Sequence, residues 1–180
     1  MKKALAVTLA GLALGGCLGY RIGPAKPHYL QDVHSIAVPV FDNKTLIPRV
    51  ETLVTDAVVK QFQQDGTYKI TDAGKADATL KCEIARISRS PARSVVGNVL
   101  ATSEFNLSMH VKYKLLGPDN KPLGPSGEVV GTTSFFVSTS STTASHQQVL
   151  GDVTSDERQA LPLAAEELAK RLVTQLSEGW

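Results

Sequence analysis

Residues 100–116, LATSEFNLSMHVKYKLL, alternate without a break: Phe105, Leu107, Met109, Val111, Tyr113 and Leu115 take one parity, and Glu104, Asn106, Ser108, His110, Lys112 and Lys114 the other. Successive side chains of an extended chain point to opposite faces, so this stretch predicts a long strand with one face in a core and one in water. Downstream, Gly117-Pro118-Asp119-Asn120 with Pro122, Gly124 and Pro125 is turn chemistry, and Glu128 to Val137 returns as a second strand. Upstream, Ala76 to Arg89 alternates as a third strand. Its inward phase shifts near Ala85 and Ile87, as a bulge would cause.

Further out, His34 to Phe41 predicts a strand with Ile36, Val38 and Val40 on one face, and Pro39 suggests an edge or a bulge. Asp42-Asn43-Lys44-Thr45 reads as a turn and Thr67 to Thr71 as a short strand. Pro48 to Phe62 places Val50, Leu53, Val54, Ala57, Val58, Gln61 and Phe62 at helical spacing, closed by Asp65-Gly66. From Thr154 a second helical pattern sets Leu161, Ala164, Ala165, Leu168, Leu172 and Leu176 inward. Pro162 either kinks that helix or marks its start. The order predicts an α+β two-layer sandwich: two helices packed on one face of a mostly antiparallel four- to five-stranded sheet, the other face left open.

The 180 residues suit one globular domain, large enough to build a core without disulfides or metals. The formal charge of +2 is concentrated at the N-terminus. Removing residues 1–16 takes Lys2 and Lys3 from the 19 basic residues, leaving as many as the 17 acidic ones. A neutral domain has no surplus of cations to neutralise phosphates, so nucleic acid is not an expected partner.

Met1-Lys2-Lys3 followed by the uncharged, Leu/Ala-rich Ala4 to Leu14 has the form of a signal-peptide core, too short to span a bilayer. It ends at Leu14-Gly15-Gly16-Cys17, which resembles the bacterial lipobox: Cys17 would carry diacylglyceryl and acyl groups, and two or more chains hold a protein stably to a membrane. Leu18 rather than Asp after Cys17 resembles the outer-membrane pattern. The expected organisation is a signal peptide over 1–16, a lipidated tether over 17–33 and one domain over 34–180. Cys82, in phase with Ala78, Leu80 and Ile84, is expected as a buried core thiol.

His28, His34, His110 and His146 lack metal-pair spacing and a local nucleophile motif, and the glycines fall in turns rather than phosphate loops. The chain is not expected to be an enzyme, and no cofactor is expected beyond the lipid groups on Cys17. Arg86, Arg89 and Arg93 run toward a loop bearing Val95, Val96, Val99 and Leu100, with Lys112 and Lys114 on the wet face of the next strand. Such a cluster suits contact with a phosphorylated amphiphile or a partner, because Arg pairs with phosphate in bidentate fashion. The same residues also suit a strand edge charged against sheet-to-sheet association.

The sequence is similar to the LptE family of lipopolysaccharide-assembly lipoproteins. The similarity rests on Cys17-Leu18-Gly19-Tyr20-Arg21, Ile36-Ala37-Val38-Pro39-Val40-Phe41-Asp42-Asn43-Lys44-Thr45, Gly66 with the Ala76 to Ile84 strand, Gly97-Asn98-Val99, and Ala164-Ala165-Glu166-Glu167-Leu168-Ala169 with Gly179-Trp180. It implies a non-enzymatic lipoprotein on the periplasmic face of the outer membrane of a Gram-negative cell. Its implied partners are an LptD-type β-barrel, which it would enter as a plug, and lipopolysaccharide. The Ser138–Gln148 Ser/Thr tract departs from the family pattern. A generic lipid-anchored binding module or assembly chaperone without a barrel, and a lipoprotein hydrolase, are the alternatives. The first predicts no dominant barrel partner; the second requires a Ser, His and carboxylate converging in a cleft.

Overall fold

The computed structural model describes residues 26–93, 102–138 and 155–178. The signal segment, Cys17, the start of the tether, Val95 to Leu100, His146, nearly all of the Ser138–Gln148 tract and Gly179-Trp180 lie outside the described residues. A 3₁₀ turn, His28–Leu30, leads into β1 (Ser35–Ala37), β2 (Asp42–Asn43), α1 (Val50–Asp65), β3 (Lys69–Ile70), β4 (Ala78–Arg93), β5 (Thr102–Leu116), β6 (Gly127–Ser138) and α2 (Ser155–Glu178). The sheet runs β3-β1-β4-β5-β6, with β2 also beside β4. The fold is α+β, as expected, and the sheet is mixed: the long β4-β5 and β5-β6 ladders are antiparallel, while β1 runs parallel to β3 and to β4.

β5 keeps the alternation of its sequence. Leu107, Met109, Val111, Tyr113 and Leu115 are buried against the helices, while Lys112 and Lys114 are exposed on the other side. The strand expected over His34 to Phe41 is broken. Between the pairs Ala37↔Thr79 and Asp42↔Glu83 the first chain spends five residues where β4 spends four, so one residue is extra and the side-chain phase slips. Phe41 is therefore buried in place of Val40, which stands 67% exposed. The break frees the Phe41 amide, and buried Thr55 takes it: the Phe41 N–H donates to Oγ1 at 3.1 Å while that hydroxyl donates to the Glu51 carbonyl at 2.7 Å.

α1 begins at Val50, two residues later than the Pro48 start that the sequence predicts, with Arg49 in the left-handed region at φ 63°. Asn43 holds the preceding loop: Oδ1 accepts from the Thr45 amide (2.8 Å) and hydroxyl (2.7 Å), and Nδ2 donates to the Ile47 carbonyl (2.9 Å) and Glu51 (2.8 Å). Gly66, at φ 73°, ends the helix by donating its amide to the Phe62 carbonyl at 3.0 Å. α2 runs through Pro162, so that residue neither starts nor ends it.

α2 lies on β5 and β6 and packs against α1. Its close approach depends on Gly131 of β6. A Cβ there would collide with the Ala164 carbonyl oxygen and come within 2.6 Å of Leu168 Cβ. The C-terminal turn of α2 is pinned to the first half of the chain, where the Tyr68 hydroxyl donates to the Leu176 carbonyl at 2.8 Å and the Ser177 hydroxyl to Asp65 at 3.0 Å. Burial pushes the Tyr68 phenol up to about 12, with the charges of Tyr29 and Asp65 adding to it.

The incoming chain also docks. Leu30 and Val33 are core residues, Lys26 lies 4.9 Å from the centre of the Tyr68 ring, and the Tyr29 ring occupies the space a side chain at Gly124 would need. Residues 26–33 therefore pack on the domain, with Lys26 at Tyr68 and Tyr29 at the β5-β6 turn. Cys82 is buried and free, and burial pushes its thiol well up, which keeps it unreactive.

Candidate functional site

Both helices cover one face of the sheet. The opposite face of β4, β5 and β6 is open, and the candidate residues divide between the two faces. β4 is continuous to Arg93, four residues beyond the Arg89 end that the sequence predicts. Its register slips at Ala85: Ile84 pairs with Val111 and Arg86 with His110, leaving Ala85 extra, and a second slip falls between Pro91 and Arg93. The bulge inverts the phase. Arg86, which simple alternation from Ala78 would turn toward the helices, faces the open side, and Arg89 goes to the helix side.

Arg89 is committed there. Its Nη1 lies 2.9 Å from Oε2 of Glu157, a carboxylate only 2% exposed in the first turn of α2. Helix N-termini favour negative charge, and the arginine supplies the countercharge. The approach is an ion contact rather than an aligned hydrogen bond, since Oε2 has no hydrogen-bond donor among the described residues.

On the open face three strands contribute to a polar chain. Arg86 Nη2 lies 3.2 Å from His110 Nε2, and His110 Nδ1 lies 2.8 Å from Glu128 Oε1. An arginine can only donate, so Nε2 accepts, and the ring proton sits on Nδ1, which donates to Glu128. The hydrogen bond from His110, aided by the charges of Lys112 and Arg86, holds the Glu128 carboxyl below the usual carboxylate range. Both ring nitrogens are occupied, so neither is available to take a proton from a nucleophile. Among the described residues no group of three or more His, Cys, Asp or Glu side chains could hold a metal ion.

Lys112 and Lys114 share this face, with Glu83 and Glu128 flanking Lys112 in register and Lys81 directly opposite Lys114. Of the expected cluster, the structure brings together Arg86, Lys112 and Lys114 and separates Arg89 from them. The backbone of Arg93 ends β4 opposite Glu104. Cys17 lies outside the described residues. β5 is paired on both sides at Lys112, so the charge there does not guard a sheet edge, whereas Arg86 lies beyond the last pairing of β4 with β2, at Ile84, and edge protection remains a second reading for it. Sequence reasoning misses His110, Glu128 and Lys81 as members of the site. Their polar parity is visible, but their partners depend on the inter-strand register.

Beside the lysines lies an open groove of about 790 Å³, lined by Pro39, Val40, Lys81, Lys112, Lys114 and Glu128 among others.

No curated protein matches this sequence. Among solved structures it is similar to the PelC dodecamer from Paraburkholderia phytofirmans at 12% identity and TM-score 0.45, covering 87% of this chain and 95% of that one. It is also similar to a minor lipoprotein from Acinetobacter baumannii at 9% identity and TM-score 0.47, covering 81% of this chain and 94% of that one. The family described as LptE, lipopolysaccharide-assembly, matches residues 33–176, which is most of the chain and includes every strand and α1 whole. The protein belongs to the LptE lipopolysaccharide-assembly family.

Proposed function

We propose that the chain is a lipoprotein anchored through acylated Cys17 at the periplasmic face of the outer membrane. There it complexes with an LptD-type β-barrel and assists lipopolysaccharide assembly, without catalysing a reaction. Family membership over residues 33–176 carries this reading. The architecture supports it, because helices cover one face of the sheet and leave the other free for a partner. Arg86, Lys112 and Lys114 on that face, with Arg93 at the end of β4, are the contacts proposed for lipid phosphate or barrel; Arg89 acts by bracing α2 through Glu157.

A mild-detergent pull-down of the intact lipoprotein from native outer membranes, read by mass spectrometry, tests the proposal. One dominant β-barrel at equal stoichiometry is the expected result. Recovery of the lipoprotein alone would return the function to a generic lipid-anchored binding module.

A further inference from the structure

We infer that the free edge of β6 is a self-association seam, where the β6 strands of two copies of this chain pair antiparallel about Thr133 and continue one sheet through the dimer. Gly127 to Ser138 pair with β5 on one side and with no strand on the other among the described residues. Such an edge presents a row of backbone donors and acceptors that matches another extended chain. The far half of β4, also open on one side, is blunted. Beyond Ile84, its last pairing with β2, it carries Arg86, Arg89, Pro91 and Arg93 and two register slips, and charge, proline and bulges keep exposed strands from pairing. β6 has only the single charge of Glu128, no proline, and a register with β5 that runs without a slip.

The side chains of β6 fit a second β6. Phe135 is buried and stacks on Phe105 at 5.8 Å, whereas Phe136 stands 59% exposed on the open face, where its neighbour in register on β5 is Glu104. A two-fold axis normal to the sheet points both open faces the same way, so residues of like parity meet across the seam. Pairing about Thr133 sets Val130 opposite Phe136 of the second copy and Thr132 opposite its Ser134. Aromatic against β-branched and hydroxyl against hydroxyl are cross-strand pairs that stabilise antiparallel ladders. On the covered face the same register sets Gly131 opposite Phe135, an aromatic covering an edge glycine.

Charge selects that register. An axis at Thr132 would set Glu128 opposite Phe136, and an axis at Ser134 would set Thr132 there, leaving Val130 without the aromatic. With the axis at Thr133 the two copies of Glu128 fall at opposite ends of the seam, each held by its own His110. No like charges meet. The cations of the open face take no part, so the seam stands or falls separately from the barrel partner.

Sedimentation velocity of the full chain in density-matched maltoside micelles, over a range of protein concentrations, tests the seam. A monomer–dimer equilibrium is expected. Val130→Lys and Phe136→Glu, each present twice in a two-fold dimer, should weaken it about tenfold with unchanged urea midpoints. The double variant Val130→Lys/Phe136→Glu sets opposite charges across the seam and should return the affinity to within about threefold of the parent. Thr133→Cys lies on the axis, near enough to its copy for a disulfide, and should give a covalent dimer under mild oxidation. Ser108→Cys, on interior strand β5, should not. A monomer at every concentration, a dimer that neither single variant weakens, a double variant no tighter than the singles, or equal cross-linking of Thr133→Cys and Ser108→Cys overturns the proposal.

Discussion

Arg86 and Arg89 lie three residues apart on one strand and end on opposite faces of the sheet. Arg89, on the covered face, has one assignment: its guanidinium is the countercharge of a carboxylate that is 2% exposed. Arg86, on the open face, belongs to a solvent-bathed chain with His110 and Glu128 that leaves other arrangements available to it. The covered face is fixed by packing, so substitutions there act on stability. The open face is held by exposed polar contacts worth little each, so substitutions there act on binding. A single extra residue, Ala85, decides which arginine falls under which rule.

Deleting Ile87, a paired residue beyond the bulge, breaks the contrast most severely, whereas deleting the unpaired Ala85 would leave both arginines on their present faces. Loss of Ile87 would turn Ser88 toward the helices and Arg89 toward water, leaving Glu157 buried without its countercharge. Together these changes should cost about 3 to 5 kcal/mol, so the urea midpoint should fall sharply. A midpoint equal to that of the parent protein would show that β4 absorbs the loss by straightening the bulge at Ala85. Next is Gly131→Ala, which places a methyl group against the Ala164 carbonyl and Leu168 and should cost about 1 to 3 kcal/mol by overpacking. The expected signature is a lower Tm with lipid and partner binding unchanged once folded.

Arg89→Ala against Arg86→Ala sharpens the comparison directly. The first should cost about 2 kcal/mol, below the full buried-pair range because the Arg89 side chain is 52% exposed. Arg86→Ala should cost less than about 0.5 kcal/mol, as surface ion contacts do. Equal losses in chemical denaturation would refute the division of roles.

The smallest effect is a pH dependence at the start of β1. The hydroxyl of Ser35, followed by the amides of His34 and Ser35, donates to Asp77 and holds its carboxyl below the ordinary 3.8. The depressed value means that the folded state prefers the charged form. The stabilisation is complete above the unfolded value and is lost as the pH falls through the lower folded one. Asp77→Asn should therefore flatten the acid limb of the stability curve below about pH 4 and leave pH 7 titrations of the open face untouched.

β5 and α2 are legible in the sequence because each carries its period over many residues, which sets the layers and the open face. Lys112 and Lys114 fall on the expected face for that reason. The parallel pairings of β1 with β3 and β4 are not legible, because segments of two or three residues carry no period. Val40 is expected inward by an alternation that the extra residue before β2 interrupts. The sequence signals a phase shift near Ala85, but which arginine it turns outward depends on the pairing with β5. Lys81 and His110 show the same limit: parity names the face, and only register names the neighbour.

The bonds from Tyr68 to Leu176 and from Ser177 to Asp65 join residues 108 and 112 positions apart. Loop closure over such spans is slow, and contacts of high sequence separation delay folding. A chain delivered from its N-terminus can pair β4, β5 and β6 as they emerge. It cannot seal Tyr68 or the far side of α1 until the final turn of α2 arrives. The protein should therefore pass through a state in which the sheet exists with its apolar face bare. How long that state lasts, rather than how stable the finished fold is, sets its exposure to aggregation and to proteolysis.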